Sequence, residues 1–357
     1  MDEEERLLHD LVYVPSPTGD TAAVTRLLLE RADDMGLRAH VDGAGNVHMV
    51  AGGGGSRVLL LCHMDTVPGD IPVRVEDGVL HGRGSVDAKG CLATAMAAAA
   101  RLATTREGTV EVVAVPDEEG PSLGARHLVE GPAPAAVIVG EPSGWQGVTI
   151  GYKGALRLCY RHSSSKVHAG AGGHNSAEAA VAFWNALEAR CREGSDSSGT
   201  QGVFSSISPT LESIITRDDG ISLATEMRVD VRIPPGYDTE ALLAFLESAK
   251  GEATLEVVGG EQPVLAPKNT SLVRALLAAI RAEGGEPSFK RKTGTSDMNV
   301  AAAAWPGVPI AAYGPGDSRL DHTPEERLDL AEFRKAIAVM ERTLDRLLRE
   351  GDPRSKV

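Results

Sequence analysis

The chain reads as an α/β protein with a mostly parallel central sheet, interrupted by an inserted ferredoxin-like α+β unit. Three observations predict this. Apolar runs of strand length at 58–62, 109–115 and 135–139 each end in a polar loop, and stretches with helical spacing lie between them, at 88–103 and 122–129. Strands that alternate with helices imply parallel pairing with both sheet faces covered. From about Lys153 the texture changes to strand, helix, two strands, helix, strand, which is the ferredoxin-like order. With 357 residues, 42% of them hydrophobic, the chain can build two proper cores.

Taken in order, apolar positions at helical spacing mark helices over 3–12 and 20–35, separated by the turn PSPTGD. A strand, turn and strand follow over 39–50, with DGAGN and GGGG as loops, before the alternating pattern begins. In the inserted unit, GALRLCYRHSSS reads as a strand and 176–191 as an amphipathic helix. GVFSSISPTLESIITR and ISLATEMRVDVRI read as strands, 239–249 as a helix and ATLEVVG as a strand. QPVLAPKNTSLVRALLAAIRAEG then resumes a long helix, and VPIAAYGPG supplies another buried strand. The expected organisation is a catalytic domain in two pieces, 1–152 and 267–357, around a lid at 153–266, an ordinary domain size.

A net charge of −14 without a long basic run argues against a nucleic-acid or anionic-membrane partner. The start, MDEEERLLHDLV, is acidic where a secretory signal is basic and then apolar. The best apolar stretch, 91–103, is too short to span a bilayer and contains Arg101. A cytoplasmic protein is the expectation. Cys62, Cys91, Cys159 and Cys191 are far apart with no CxxC spacing, as suits small buried thiols better than disulfides or a zinc knot.

The stretch RVLLLCHMDTVP begins as a buried strand and ends in His63 and Asp65. Open α/β sheets carry their chemistry at the carboxyl ends of strands. The same edge is expected to gather Asp87 of HGRGSVDAKG, Glu118 and Glu119 of PDEEG, Glu141 of GEPSG, and His322 of GDSRLDHTPEERL. Singly, each has an ordinary explanation: a polar pair at a loop, two acids complementing a helix dipole, a loop histidine. Together they do not, because clustered carboxylates repel and raise one another's pKa. A pair of divalent cations removes the conflict. Oxygen and nitrogen ligands without thiolate suit zinc, cobalt or manganese, and two metals ~3.5–4 Å apart can share one bridging carboxylate.

HMDTVP, GRGSVDAKG, PDEEG, GEPSG and DHTPEE, in this order, resemble the co-catalytic zinc metallopeptidases that include aminoacylase, carboxypeptidase G, acetylornithine deacetylase and succinyl-diaminopimelate desuccinylase. The resemblance spans nearly the whole chain. It implies a zinc-peptidase catalytic domain with a lid that also forms a homodimer. Carried over residue by residue, it makes His63 and Glu141 ligands of one metal, Glu119 and His322 ligands of the other, and Asp87 the bridge. Asp65 then accepts the spare N–H of His63 and fixes its tautomer. Glu118 matches the general base, which takes a proton from water and passes it to the leaving nitrogen.

In the lid, SSSKVHAGAGGHNSAEAA resembles the segment whose histidine polarises the scissile carbonyl. His168 is the first candidate. The segment lacks the usual proline after the histidine and carries extra glycines, which leaves His174 open. Arg232 in DVRIPP matches an arginine that binds substrate carboxylate, or is an arginine at a strand end. KRKTGTSDMN, with Lys292, Thr293, Gly294 and Thr295, resembles the corresponding loop of hydrolases that release lysine or ornithine from the C-terminal glutamate of the amino-group carrier protein LysW. Such a carrier is itself acidic, so a chain of charge −14 needs a basic mouth, which Lys290, Arg291 and Lys292 can supply. The alternatives are a deacylase for acetylornithine, acetyl-lysine or succinyl-diaminopimelate, and a general dipeptidase or carboxypeptidase. A binding protein on this fold is expected to lose Glu118 or a ligand, and this chain keeps them all.

Overall fold

The computed structural model describes residues 1–103, 108–166, 175–193 and 202–350. The chain divides into two compact units, one of Met1–Gly151, Ala266–Lys290 and Ser296–Val357, the other of Tyr152–Leu265 and Arg291–Thr295.

The first unit is built on a central sheet. Its strands run in the spatial order Arg38–Val41, Val47–Gly53, Gly108–Val115, Arg57–His63, Ala136–Gly140, Ile310–Ala312, Gly147–Tyr152. The four strands from Gly108–Val115 to Ile310–Ala312 pair in parallel, and the outer pairings are antiparallel. The central strand RVLLLCH is buried from Val58 to His63. Its unbroken apolar run is the sequence form of a parallel strand covered on both faces. The alanine-rich helix Lys89–Arg101, KGCLATAMAAAAR, is buried on nearly every side, and its small side chains let neighbours approach on all of them.

Two features extend beyond the expected elements. The helix Leu330–Glu350 packs on Lys89–Arg101 and on Ser271–Ala282. Its buried residues Phe333, Ile337, Met340, Leu344 and Leu347 recur at the three- and four-residue spacing of one helix face. A small antiparallel sheet joins Arg74–Glu76, Val79–His81 and Arg327–Asp329. This pairing brings the segment DHTPEERL back beside HGRGSVDAKG.

The second unit contains strand Gly154–Ser165, helix Ser176–Glu193, strands Ser208–Asp218 and Ser222–Ile233, helix Thr239–Ala249 and strand Thr254–Glu261. The spatial order is Ser208–Asp218, Ser222–Ile233, Gly154–Ser165, Thr254–Glu261, and every pairing is antiparallel. Alternation sorts its faces. Leu156, Leu158, Tyr160, Met227, Val229 and Val231 pack against Phe183, Leu187, Leu242 and Leu246 of the helices. The opposite face carries Arg161, paired at 2.9 Å with both Glu226 and Glu256.

Among the described residues no helix is long and apolar enough to cross a membrane. All four cysteines are buried and none forms a disulfide.

Candidate metal centre

The parallel strand Arg57–His63 delivers His63, 2% exposed, to the carboxyl edge of the sheet. Backbone bonds from Met64 N–H to the Val115 carbonyl and from Thr66 N–H to the Ser16 carbonyl fix the turn that follows. Asp65, fully buried, lies in that turn. The imidazole Nδ1 of His63 faces the Asp65 backbone carbonyl at 2.9 Å and the Asp65 carboxylate at 3.4 Å. The contact expected from the Asp65 carboxylate is therefore made more closely by the Asp65 main chain. Its carboxylate mainly braces the neighbouring loop. Oδ1 accepts the Glu118 N–H at 3.1 Å, and Oδ2 accepts the Glu119 N–H at 3.3 Å and the Thr18 hydroxyl at 2.7 Å. Burial pushes Asp65 up, but the bonds from His63, Thr18 and the Glu118 amide hold it below the usual carboxylate range.

The residues expected at the edge form two groups. His63, Glu118 and Glu141 offer ligand atoms within 4.8 Å of one another, and so do Asp87, Glu119 and His322. Asp87 links them, with Oδ1 3.2 Å from His63 Nε2 and Oδ2 3.2 Å from His322 Nε2. His322 Nε2 is also 2.8 Å from Glu119 Oε1. His322 holds a φ of 60°, a left-handed conformation in which histidine is enriched.

The charges show what this donor set suits. Burial lowers His63, yet the bonds to Asp65 and Asp87 raise it well above its ordinary value. Asp87 and then Glu119 push His322 up to about 10. Glu118 keeps some exposure, but its carboxyl is withdrawn from water. That withdrawal, opposed by His63 and reinforced by Glu141, Asp297 and Glu119, pushes it well above the carboxylate range. Two cationic side chains of this unit are directed elsewhere: Lys89 Nζ donates to the Val14 carbonyl, and Arg83 pairs with Glu326. A cluster of nitrogen donors and carboxylate oxygens fits divalent cations, with Asp87 facing both donor groups.

The remaining expected residues lie elsewhere in the chain. His168 and its alternative His174 fall outside the described residues. Arg232, Lys292, Thr293, Gly294 and Thr295 belong to the second unit. There Arg232 Nη1 donates to Thr295 Oγ1 at 3.3 Å, while its Nε pairs with Asp230 at 2.7 Å. Lys292 lies over the Tyr152 ring at 5.8 Å.

Three contributors escape motif reading. Glu326, 1% exposed, accepts the N–H groups of Val86 and Asp87 on Oε1, both at 3.0 Å, and holds Arg83 on Oε2 at 2.7 Å. It is the last residue of DHTPEE, so the motif contained it. Thr18 comes from PSPTGD, which read only as a turn. Asp297, in the Gly-Thr-Ser-Asp run, opens the helix Asp297–Ala304 at 2% exposure. Burial pushes it up to about 7, and its Oδ1 has no hydrogen-bond partner among the described residues.

A sequence model described as Peptidase family M20/M25/M40 matches residues 59–346. The chain is 44% identical over 354 residues to the LysW-lysine hydrolase of Deinococcus radiodurans, covering 96% of each. It is 40% identical to a putative LysW-lysine/LysW-ornithine hydrolase of Thermococcus kodakarensis, covering 97% of this chain and 92% of that protein. Among solved structures, an M20-family metallo-carboxypeptidase from Sulfolobus solfataricus superposes with a TM-score of 0.78 at 18% identity, covering 98% of this chain and 99% of that one. An aminopeptidase from Bacillus cereus gives 0.76 at 19% identity, covering 97% and 99%. These two likenesses show the fold.

Proposed function

The chain belongs to peptidase family M20/M25/M40, and from that premise we propose that it is a metal-dependent hydrolase releasing lysine, ornithine or both from the C-terminal glutamate of the carrier protein LysW. The observation that carries the substrate is the likeness to relatives with that name along 96% of the chain. The observation that carries the chemistry is Asp87 facing an imidazole of each donor group.

Two divalent cations, zinc first and cobalt or manganese next, suit the site; when bound they supply Lewis-acid activation of water and of the scissile carbonyl. His63 and Glu141 are the proposed ligands of one, Glu119 and His322 of the other, with Asp87 between them. Glu118 takes the proton of the attacking water and delivers it to the leaving nitrogen. A carboxyl whose pKa is raised, as this one is, is suited to holding that proton between the two steps. Asp65 keeps Glu118 and Glu119 in register through their amides. His168 is assigned to polarising the carbonyl and Arg232 to the substrate carboxylate. The loop Lys292, Thr293, Gly294 and Thr295 borders Arg232 through Thr295.

A basic contact for an acidic carrier is supported by Arg291, which lies over the Phe204 ring at 5.5 Å, and by Lys292 over Tyr152. Homodimerisation through the second unit is supported by its edge strand Ser208–Asp218. This strand exposes Leu211, Ile214 and Ile215 at 36%, 39% and 52%; long apolar edges invite pairing. Four buried cysteines outside any disulfide suit a reducing cytoplasm.

Turnover of a panel tests the reading: carrier-linked lysine, carrier-linked ornithine, acetylornithine, acetyl-lysine, succinyl-diaminopimelate and a dipeptide. The expected result is the highest kcat/KM on a carrier-linked amide. A preference of tenfold or more for a small acyl amino acid would replace this reading with that of a small-molecule deacylase.

A further inference from the structure

The loop that carries Glu118 and Glu119 is held by Asp65 on the metal side. On its other side it rests on a partly buried polar chain away from the metal donors. His48, 9% exposed, presents both ring nitrogens to carboxylates: Nδ1 to Glu111 Oε1 at 2.8 Å and Nε2 to Asp42 Oδ2 at 3.2 Å. Arg57 donates to the other Glu111 oxygen at 2.7 Å. Asp42 closes its own turn, with Oδ1 accepting the Ala44 and Asn46 N–H groups at 2.8 and 3.0 Å. Asn46, fully buried, uses its amide nitrogen twice, donating to Asp42 Oδ2 at 2.8 Å and to the Gly124 carbonyl at 3.0 Å.

Gly124 is the junction. Its N–H donates to Asp117 Oδ1 at 2.9 Å, and Asp117 Oδ2 accepts the Leu123 N–H at 2.7 Å. The residue that follows Asp117 is Glu118. A side chain on Gly124 would place its Cβ against Asn46 Oδ1, Pro116 Cδ and Val115 Cβ, so the contact has no slack. The path from His48 to the segment of the base thus runs through Asp42, Asn46, Gly124 and Asp117, each hydrogen-bonded to the next.

We infer that His48 and Asn46 are positioning residues that set the Glu118–Glu119 loop through Gly124 and Asp117. The inference rests on the assignment of Glu118 as base. Both nitrogens of an imidazole donate only when it carries two protons. Loss of one would turn a bare lone pair toward a carboxylate and loosen the Asp42 turn on which Asn46 is mounted. The charged and titratable groups around His48 are Asp42, Glu111 and Arg57, with the exposed His40 ring stacked on it at 4.7 Å and His127 Nε2 3.9 Å from Asp42. Glu111 and then Asp42 favour the doubly protonated ring against the burial that opposes it.

The test is a double-mutant cycle with His48→Gln, Asn46→Ala and the pair, using the substrate that the wild type turns over fastest. The readouts are kcat, KM, metal content and the pH profile. Each single variant is expected to lose ~10-fold to 10²-fold in kcat with KM unchanged and with two ions still bound at saturating metal. The pair is expected to be no slower than the slower single, since both act along one chain. The wild-type alkaline limb should be absent in His48→Gln. Asn46→Ala leaves the ion pairs intact, so it carries the test alone should His48→Gln not fold. Singles with kcat within twofold of wild type, or losses that multiply in the pair, would overturn the inference. Glu118→Gln runs alongside: full activity there removes the base assignment itself, whereas an inactive Glu118→Gln beside unaffected His48 and Asn46 variants removes only this inference.

Discussion

Glu326 Oε1 accepts the backbone N–H of Asp87 at 3.0 Å. Asp87, the proposed bridge, is thereby held by a buried carboxylate 239 residues further along the chain, which also holds Arg83 directly. Glu326→Gln keeps the shape and removes the charge facing Arg83. Breaking a buried pair of this kind costs on the order of 3 kcal/mol, and losing support behind a metal ligand weakens affinity about 10–100-fold. Chelator competition and thermal melting check both. Unchanged metal affinity would show that Glu326 serves the fold alone.

Asp87 and His322 separate the two donor groups. Asp87 faces both imidazoles, whereas His322 touches only Asp87 and Glu119 among the donors. Asp87→Asn should weaken both sites, and His322→Ala chiefly one. Elemental analysis after reconstitution should find close to two divalent ions per wild-type chain, about one in His322→Ala and fewer in Asp87→Asn. Full activity at a single ion would refute the two-metal reading.

How much of this was legible in the sequence depended on how local the signal was. His63, Asp87, Glu118, Glu119, Glu141 and His322 each sit in a short motif at the end of a strand or beside a helix start, and the parallel strand Arg57–His63 shows as a continuous apolar run from Val58 to Cys62, with Gly108–Val115 apolar apart from Thr109 and Glu111. Glu326, by contrast, acts through two backbone amides and an arginine on a different segment, and such a role depends on a three-residue strand pairing that carries too few residues for a periodic pattern. The helix Leu330–Glu350 had a readable period; its apolar face is spaced for packing on Lys89–Arg101. The bracing role of Asp65, accepting main-chain N–H groups from 53 and 54 residues away, leaves no mark on composition or spacing. His48 and Asn46 are equally silent, because a lone polar residue in a strand or turn gives no clue to a buried partner.

His48 also makes a pH prediction for stability. Its folded pKa is raised by Glu111 and Asp42, so its contribution is complete below the ordinary imidazole value of ~6.5 and is lost as pH rises through the raised folded value. The melting-temperature gap between wild type and His48→Gln should therefore be largest near pH 6 and shrink toward pH 9. A gap that is constant or widens over that range would show that His48 does not act as a buried cation.

Under the proposed function neighbouring glutamates divide the work, Glu118 moving the proton and Glu119 holding metal. As an acid merely complementing a helix dipole, Glu118 would contribute at most about 1 kcal/mol, and glutamine would replace it with little functional loss. As general base it exchanges a proton in every turnover, which an amide cannot do. The decisive measurement is metal content and hydrolysis rate on Glu118→Gln and Glu119→Gln together. Glu118→Gln is expected to fold, bind two ions and lose at least ~10²-fold in kcat, while Glu119→Gln loses metal as well as rate; a Glu118→Gln protein with near-normal turnover would contradict this division of roles.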